Sequence, residues 1–134
     1  MRKVYVDGNC WNRDLCNSNL DSLFIFGDNF NDDKPISKIK VCSNVIGIPI
    51  KKNKNEFFED INFEDNIKFI DGVFDRIMKV ILYNNYRSVV ISEKIFSLSC
   101  FGEKAPMTYN HIGKRITALV NMFNYKKIEF YLCI

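Results

Sequence analysis

Apolar residues fall along this chain in two rhythms, and together they predict alternating strands and helices. Leu23-Phe24-Ile25-Phe26 is apolar at every position and stops at Gly27-Asp28-Asn29. A run apolar on both parities marks a strand covered on both faces, as in an α/β sheet. Ser88-Val89-Val90-Ile91 repeats the pattern. Asn44-Val45-Ile46-Gly47-Ile48-Pro49-Ile50 reads the same way, with Pro49 near the strand end because proline cannot donate to a central ladder. Lys3-Val4-Tyr5-Val6 predicts a short first strand, closed by the turn residues Asp7-Gly8-Asn9. The stretch from Lys127 to Cys133 predicts a last one, where Ile128, Phe130 and Leu132 alternate with Glu129, Tyr131 and Cys133.

The second rhythm is helical. Phe63, Ile67, Ile70, Phe74, Ile77 and Ile81, with Met78 and Leu82, recur at three- and four-residue steps. Asn62 is placed to cap this long helix, with Asp65 as a variant of the capping box, and Glu64 and Asp65 suit the positive end of its dipole. Asn84-Asn85 ends it. A second helix is predicted from about Thr108 to Phe123, with Ile112, Ile116, Leu119, Val120 and Phe123 on one face. Pro35 can open a short helix reaching about Val41. The segments from Cys10 to Asn19 (a loop or loose helix), from Lys51 to Asn55 (a polar loop) and from Ser92 to Ala105 lack a clear period.

Helices alternating with buried strands imply a single α/β domain, with a mixed or largely parallel sheet flanked by helices on both faces. The length of 134 residues fits one domain, without repeat or linker. In such sheets ligands bind outside the carboxyl ends of strands. That rule selects Gly27 to Asn31, Pro49 to Asn53, and Ser92 to Gly102.

Composition narrows the classes. Apolar residues make up 47%, including twelve Phe, which excludes a disordered chain. A net charge of +3 is too small for a protein that coats nucleic acid. No apolar run is long enough for a transmembrane helix, and the start Met1-Arg2-Lys3-Val4-Tyr5-Val6-Asp7 reaches an acid too soon for a signal peptide. The five cysteines form no CxxC pair and there is one histidine, so no zinc spacing is recognisable. Free, mostly buried thiols in a reducing cytosol are the expectation, and neither metal nor cofactor is called for. Catalysis by a cysteine with His111 as base is the weaker alternative.

Three segments can carry chemistry. At Phe26-Gly27-Asp28-Asn29, glycine allows close backbone approach to a ligand, and a carboxylate with an amide can read a base or ribose. Taken alone, the same residues are ordinary Asx-turn chemistry. Lys51 and Lys52 follow a strand directly, where they can meet a phosphate, or form a solvated loop balanced by the acids that follow. Ser97 and Ser99 lie between a buried strand and a helix start, where hydroxyls and backbone N–H groups can bind an anion. Trp11 can stack on a base, but a lone tryptophan in a polar stretch is more often a core anchor. His111 lies off the apolar stripe and reads as a boundary residue. Asp32-Asp33 are adjacent and need not face one site.

Three phrases taken in order resemble a known pattern. They are Leu23-Phe24-Ile25-Phe26-Gly27-Asp28-Asn29, Asn44-Val45-Ile46-Gly47-Ile48-Pro49-Ile50-Lys51-Lys52, and Glu103-Lys104-Ala105-Pro106-Met107-Thr108-Tyr109, with Phe57-Phe58-Glu59-Asp60 between. The chain resembles, over roughly residues 20–123, a family of small uncharacterised proteins common in phages and prophages. That family is similar in pattern to macro-domain-like proteins, which bind ADP-ribose and related nucleotides at strand ends. The resemblance implies a macro-domain-like fold, with Gly27, Asp28 and Asn29 at the nucleoside end and Lys51 and Lys52 near the phosphates. The segment from Ser92 to Gly102, with Ser97 and Ser99, would wrap the diphosphate. The chain departs from the family where a glycine-rich loop is replaced by Lys94-Ile95-Phe96-Ser97-Leu98-Ser99, and where another glycine-rich stretch is replaced by Asn31-Asp32-Asp33-Lys34-Pro35-Ile36-Ser37.

The leading expectation is a phage protein of the host cytosol that binds a nucleotide-type ligand. That ligand would be an ADP-ribose derivative or a cyclic-nucleotide defence signal, and binding would sequester it without catalysis. One rival is a hydrolase of an ADP-ribosyl or phosphoester bond, with Asp28 activating water and Asn29 orienting the ribose. Another is an inhibitor of a host defence protein acting through the apolar loop Ile95 to Phe101.

Overall fold

The computed structural model describes residues 2–4, 11–28, 42–53, 56–92 and 103–133. Its strands are β1 (Arg2–Val4), β2 (Ser22–Asp28), β3 (Val45–Pro49), β4 (Lys51–Asn53), β5 (Glu56–Phe57), β6 (Ser88–Ser92) and β7 (Glu129–Cys133). Five of them form one sheet in the order β1-β7-β6-β2-β3, and every neighbouring pair is parallel. The antiparallel element is a separate two-stranded ribbon, β4 with β5. The sheet is therefore parallel throughout rather than mixed, and the expected polar loop after Ile50 is partly this ribbon.

The helices are α1 (Arg13–Asn17), α2 (Phe63–Tyr83) and α3 (Pro106–Met122). Handedness decides where they lie. The connections from β1 to β2 and from β2 to β3 step across the sheet in one direction, and those from β3 to β6 and from β6 to β7 step back. Right-handed crossovers place the two sets on opposite faces. Accordingly α2 and α3 cover one face and α1 packs on the other. Strand alternation divides the core in the same way. Leu23, Ile25, Ile48, Ile50, Val89 and Ile91 meet Ile70, Phe74 and Ile77 of α2 and Ile112 and Ile116 of α3. Phe24 and Phe26 point to the other face, against Trp11, Cys16, Cys42 and Cys133. Each large apolar side chain so buried contributes about 1.5–3 kcal/mol.

The sequence places β2, β3, β6, α2 and α3 within a residue or two. Pro49 ends β3, which is an edge strand where a missing N–H does no harm. Asn62 does not cap α2 with its side chain; a 3-10 turn, Asp60–Asn62, leads into the helix instead. At the other end Asn84 Nδ2 donates to Val80 O at 2.7 Å. The short helix expected after Pro35, the turn at Asp7 to Asn9 and the pair Asp32-Asp33 lie outside the described residues. Among the described residues no helix is long and apolar enough to cross a membrane.

Candidate functional site

All five strands of the sheet run the same way, so their carboxyl ends share one edge. β3, the strand that follows β2, lies on one side of the pair β2–β6, and β7, the strand that follows β6, lies on the other. The pair β2–β6 is therefore the topological switch point, where open parallel sheets hold ligands. Gly27 and Asp28 close β2 at this edge, and Ser92, fully buried, closes β6. The ladder between β2 and β3 continues to Asp28 opposite Pro49, and Ile50 N–H donates to Asp28 O at 3.2 Å. The backbone of Lys51 and Lys52, the start of β4, thus follows directly at the same end. Asn29, Ser97, Ser99 and the apolar loop from Ile95 to Phe101 lie outside the described residues.

Asp28 leans over β3, and this explains Gly47. A Cβ built on Gly47 would lie 2.9 Å from Asp28 Cβ, 3.1 Å from Phe26 Cζ and 3.3 Å from Asp28 Oδ2. The glycine in Gly47-Ile48-Pro49 makes room for the Asp28 side chain rather than for a ligand. Beside it a cleft of about 330 Å³ runs along the outer edge of β3, between Phe26, Asp28 and Val45 on one side and Arg76 and Val80 of α2 on the other. An acid and a guanidinium face one opening, which suits a ligand carrying both hydroxyls and phosphate. Arg76 was not legible as a site residue, because on a long amphipathic helix it looks like any solvated cation. Gly47→Ala is expected to cost about 1–3 kcal/mol by overpacking and to displace Asp28. A urea melt checks the first effect and ligand titration the second.

The helix start that follows the third segment is held by a contact its sequence does not announce. Met107 N–H donates to Asp60 Oδ2 at 2.9 Å, and Thr108 N–H and Oγ1 donate to Asp60 Oδ1, each at 3.0 Å. Asn66 Nδ2 donates in turn to Thr108 Oγ1 at 3.1 Å and to Glu59 O at 2.9 Å. Burial pushes the Asp60 carboxyl up, but the bonds from Met107 and Thr108 outweigh that and hold it below its ordinary value. The helix start suggested as an anion site is therefore occupied, at Met107 and Thr108, by the protein's own carboxylate.

The remaining candidates resolve as structure. Trp11 is 1% exposed and meets Phe24 edge-on, with ring centroids 5.2 Å apart, so it is a core anchor with no free face for a base. His111 bridges the helices, its Nε2 2.7 Å from Asp71 Oδ1, and Arg115 extends the contact to Asp75 at 3.3 Å. Cys16, Cys42 and Cys133 are free and buried on the α1 face of the sheet. His111 stands on α3, on the opposite face, so none of these three thiols can use it as a base. Burial, with Cys42 as neighbour, pushes the Cys16 thiol up to about 11, which makes it a poor nucleophile. Cys10 and Cys100 lie outside the described residues. No group of three or more His, Cys, Asp or Glu is placed to hold a metal ion among the described residues.

The chain belongs to a family of unknown function (DUF7831), whose model matches residues 6–115. That span takes in both halves of the Asp60 contact and the whole carboxyl edge of β2, β3 and β6. No curated protein and no solved structure matches the chain.

Proposed function

We propose that this protein binds a nucleotide-type ligand at the carboxyl edge of β2 and β3, and that it serves a phage by sequestering an ADP-ribose-type or cyclic-nucleotide defence signal in the host cytosol. The observation that carries the reading is the position of Asp28. It closes β2 at the carboxyl edge of the sheet, and its side chain leans over the edge strand β3 to face Arg76 across an open cleft. In this reading Asp28 accepts hydrogen bonds from ribose hydroxyls or a base edge, while Arg76 and the lysines of β4 meet the phosphates. The macro-domain-like resemblance of the Phe-Gly-Asp-Asn and Gly-Ile-Pro phrases supports the same ligand class. Sequestration needs affinity but no catalytic group, and it fits a site with a single carboxylate among its described residues.

The test is calorimetry of the full chain against ADP-ribose and a set of cyclic mono- and dinucleotides. Saturable binding of at least one is expected, weakened about tenfold or more by Asp28→Ala, the value of a hydrogen bond to a charged group. Recovery of the nucleotide intact supports sequestration, whereas a cleaved product would move the assignment to a hydrolase with Asp28 as the residue that activates water. Absence of heat with every nucleotide would end the proposal.

A further inference from the structure

A cleft of about 440 Å³ opens at the heads of β6 and β7, on the edge of the sheet opposite to Asp28. Every strand of the sheet is parallel, so this edge carries the turns that enter the strands, and the nucleotide reading leaves it unused. Arg87 reaches the cleft from the turn between α2 and β6, and Lys126 and Lys127 reach it from the turn between α3 and β7. Both turns are fixed before anything binds. Arg87 N–H donates to Asp21 O at 2.7 Å, and Glu129 N–H donates to Arg87 O at 3.0 Å, which holds the heads of the two strands side by side. Tyr86 packs against the core, and Phe123, fully buried, anchors the second turn.

Charge in this cleft is unbalanced. Three cations against one acid, Glu129, leave +2 in the lining. Glu129 accepts a bond from the Tyr131 hydroxyl, and among the described residues none of Arg87, Lys126 and Lys127 pairs with a carboxylate. The carbonyl end of α3 attracts the lysines, but it gives no reason for Arg87 to join them from another turn. Lys127 is the second anomaly. Its φ of 58° and ψ of 26° are left-handed, and it is the one non-glycine residue with positive φ among the described residues. Glycine or asparagine ends a helix in this conformation with less strain. A lysine here keeps a charge at the cleft where the backbone favours a smaller residue.

We propose that this cleft binds the adjacent phosphates of a small polyphosphate, a diphosphate or a longer chain. Arg87 presents a planar fork to the oxygens of one phosphate, and Lys126 and Lys127 supply point charges to the next. Linked phosphates bring enough negative charge to offset three cations, which a single phosphate does not. The Ser88 hydroxyl is engaged with Ser22 at 2.6 Å, so recognition rests on the cations. The site lies at the opposite edge of the sheet from the Asp28 cleft and stands or falls independently of it.

The test is titration of the ¹⁵N-labelled full chain with inorganic pyrophosphate, orthophosphate and sulfate at constant ionic strength. Pyrophosphate is expected to move the backbone resonances of Arg87, Ser88, Lys127 and Ile128 saturably, with an affinity about tenfold or more above that of the other two anions. ADP, titrated beside it, separates the two sources of a diphosphate: equal affinity at these resonances assigns the site to the phosphates alone, and tighter binding assigns it to a nucleoside diphosphate. Lys127→Asn suits the left-handed turn, so it is expected to melt no lower than the parent while weakening pyrophosphate about tenfold. Arg87→Gln is expected to weaken it likewise. Pyrophosphate binding unchanged in both variants would overturn the proposal, as would shifts confined to the carboxyl edge of β2 and β3. An equal response to sulfate, meaning an adventitious ion only, would overturn it too. So would a Lys127→Asn protein that melts well below the parent, which would assign the lysine to the turn instead.

Discussion

Asn44→Asp is expected to lower the stability of this protein by more than about 3 kcal/mol. Asn44 stands just before β3 and is 1% exposed. Its Nδ2 lies 2.9 Å from Cys16 O, 3.0 Å from Asn19 O and 2.9 Å from Ser22 O. One amide thus ties the end of α1, the turn after it and the first residue of β2 to the strand that begins beside it. Its own carbonyl accepts the other way, from Phe24 N–H at 2.9 Å. The amide orientation is set by these neighbours, because the alternative would press Oδ1 against three carbonyl oxygens. Oδ1 itself is buried and unpartnered, so the side chain already carries one unmet acceptor for the sake of its donors.

Aspartate keeps the shape and removes the donors. Ionised, it is a buried charge facing carbonyl dipoles that repel it; protonated, it offers one hydrogen to three acceptors. Its folded pKa must then rise above the unfolded value, because the environment disfavours the charge. The deficit is therefore greatest at neutral pH and shrinks as pH falls through that raised value. Asn44→Ala avoids the charge and is expected to cost less, about 1–3 kcal/mol for carbonyls left without a donor. Urea unfolding of the three proteins at neutral and mildly acidic pH gives both comparisons. An Asn44→Asp protein within about 0.5 kcal/mol of the parent would show that the three carbonyls do not depend on this amide.

The contrast between Asn44 and its neighbours shows which features of this chain are readable before folding. Val45 to Pro49 declares a strand because its signal is local, a continuous apolar run with a proline at the end. Phe63 to Tyr83 declares a helix for the same reason, since every turn repeats the stripe at Ile70, Phe74, Ile77 and Ile81. Asn44 carries no such signal, because the carbonyls it serves lie 22 to 28 residues away. Read alone, it is a polar residue at the head of a strand. The β4–β5 ribbon is hidden for a different reason. Its strands are short and polar and are held by backbone pairing, which leaves no apolar alternation to detect. Within the candidate site, Gly27 and Asp28 follow from strand-end logic. Arg76 reaches the cleft only through the crossing of α2 over the edge of β3, which no spacing in the sequence encodes.

The same reasoning gives a second large effect, at Asp60. The fragments Phe57 to Asp60 and Ala105 to Thr108 look unrelated in the sequence, yet they are the two halves of one helix cap. α3 begins after Ala105, a residue with no capping side chain, and has no acid in its first turn. Asp60, 47 and 48 residues earlier, supplies both missing functions. Its oxygens take the orphan N–H groups of Met107 and Thr108, and its charge sits at the positive end of the helix. Asp60→Ala is expected to cost about 1–2 kcal/mol, as loss of a good N-cap does, and to speed amide exchange at Met107 and Thr108. Asp60→Asn keeps an acceptor but loses the charge, and should fall between. The pH dependence follows from the direction of the carboxyl's shift. Its folded value is held below the ordinary 3.8, so the contribution is complete above that pH and disappears as pH falls through the lower, folded value. The stability gap between the parent and Asp60→Ala should therefore be constant near neutrality and narrow only in acid below 3.8. A gap that narrows instead between pH 5 and 7, or is absent throughout, would show that the carboxylate does not hold α3. Because the cap also fixes the point where the chain returns from the carboxyl end of β6, its loss should loosen that side of the sheet edge. The Asp28–Arg76 cleft on the β3 side should remain intact, so nucleotide affinity should fall less in Asp60→Ala than in Asp28→Ala.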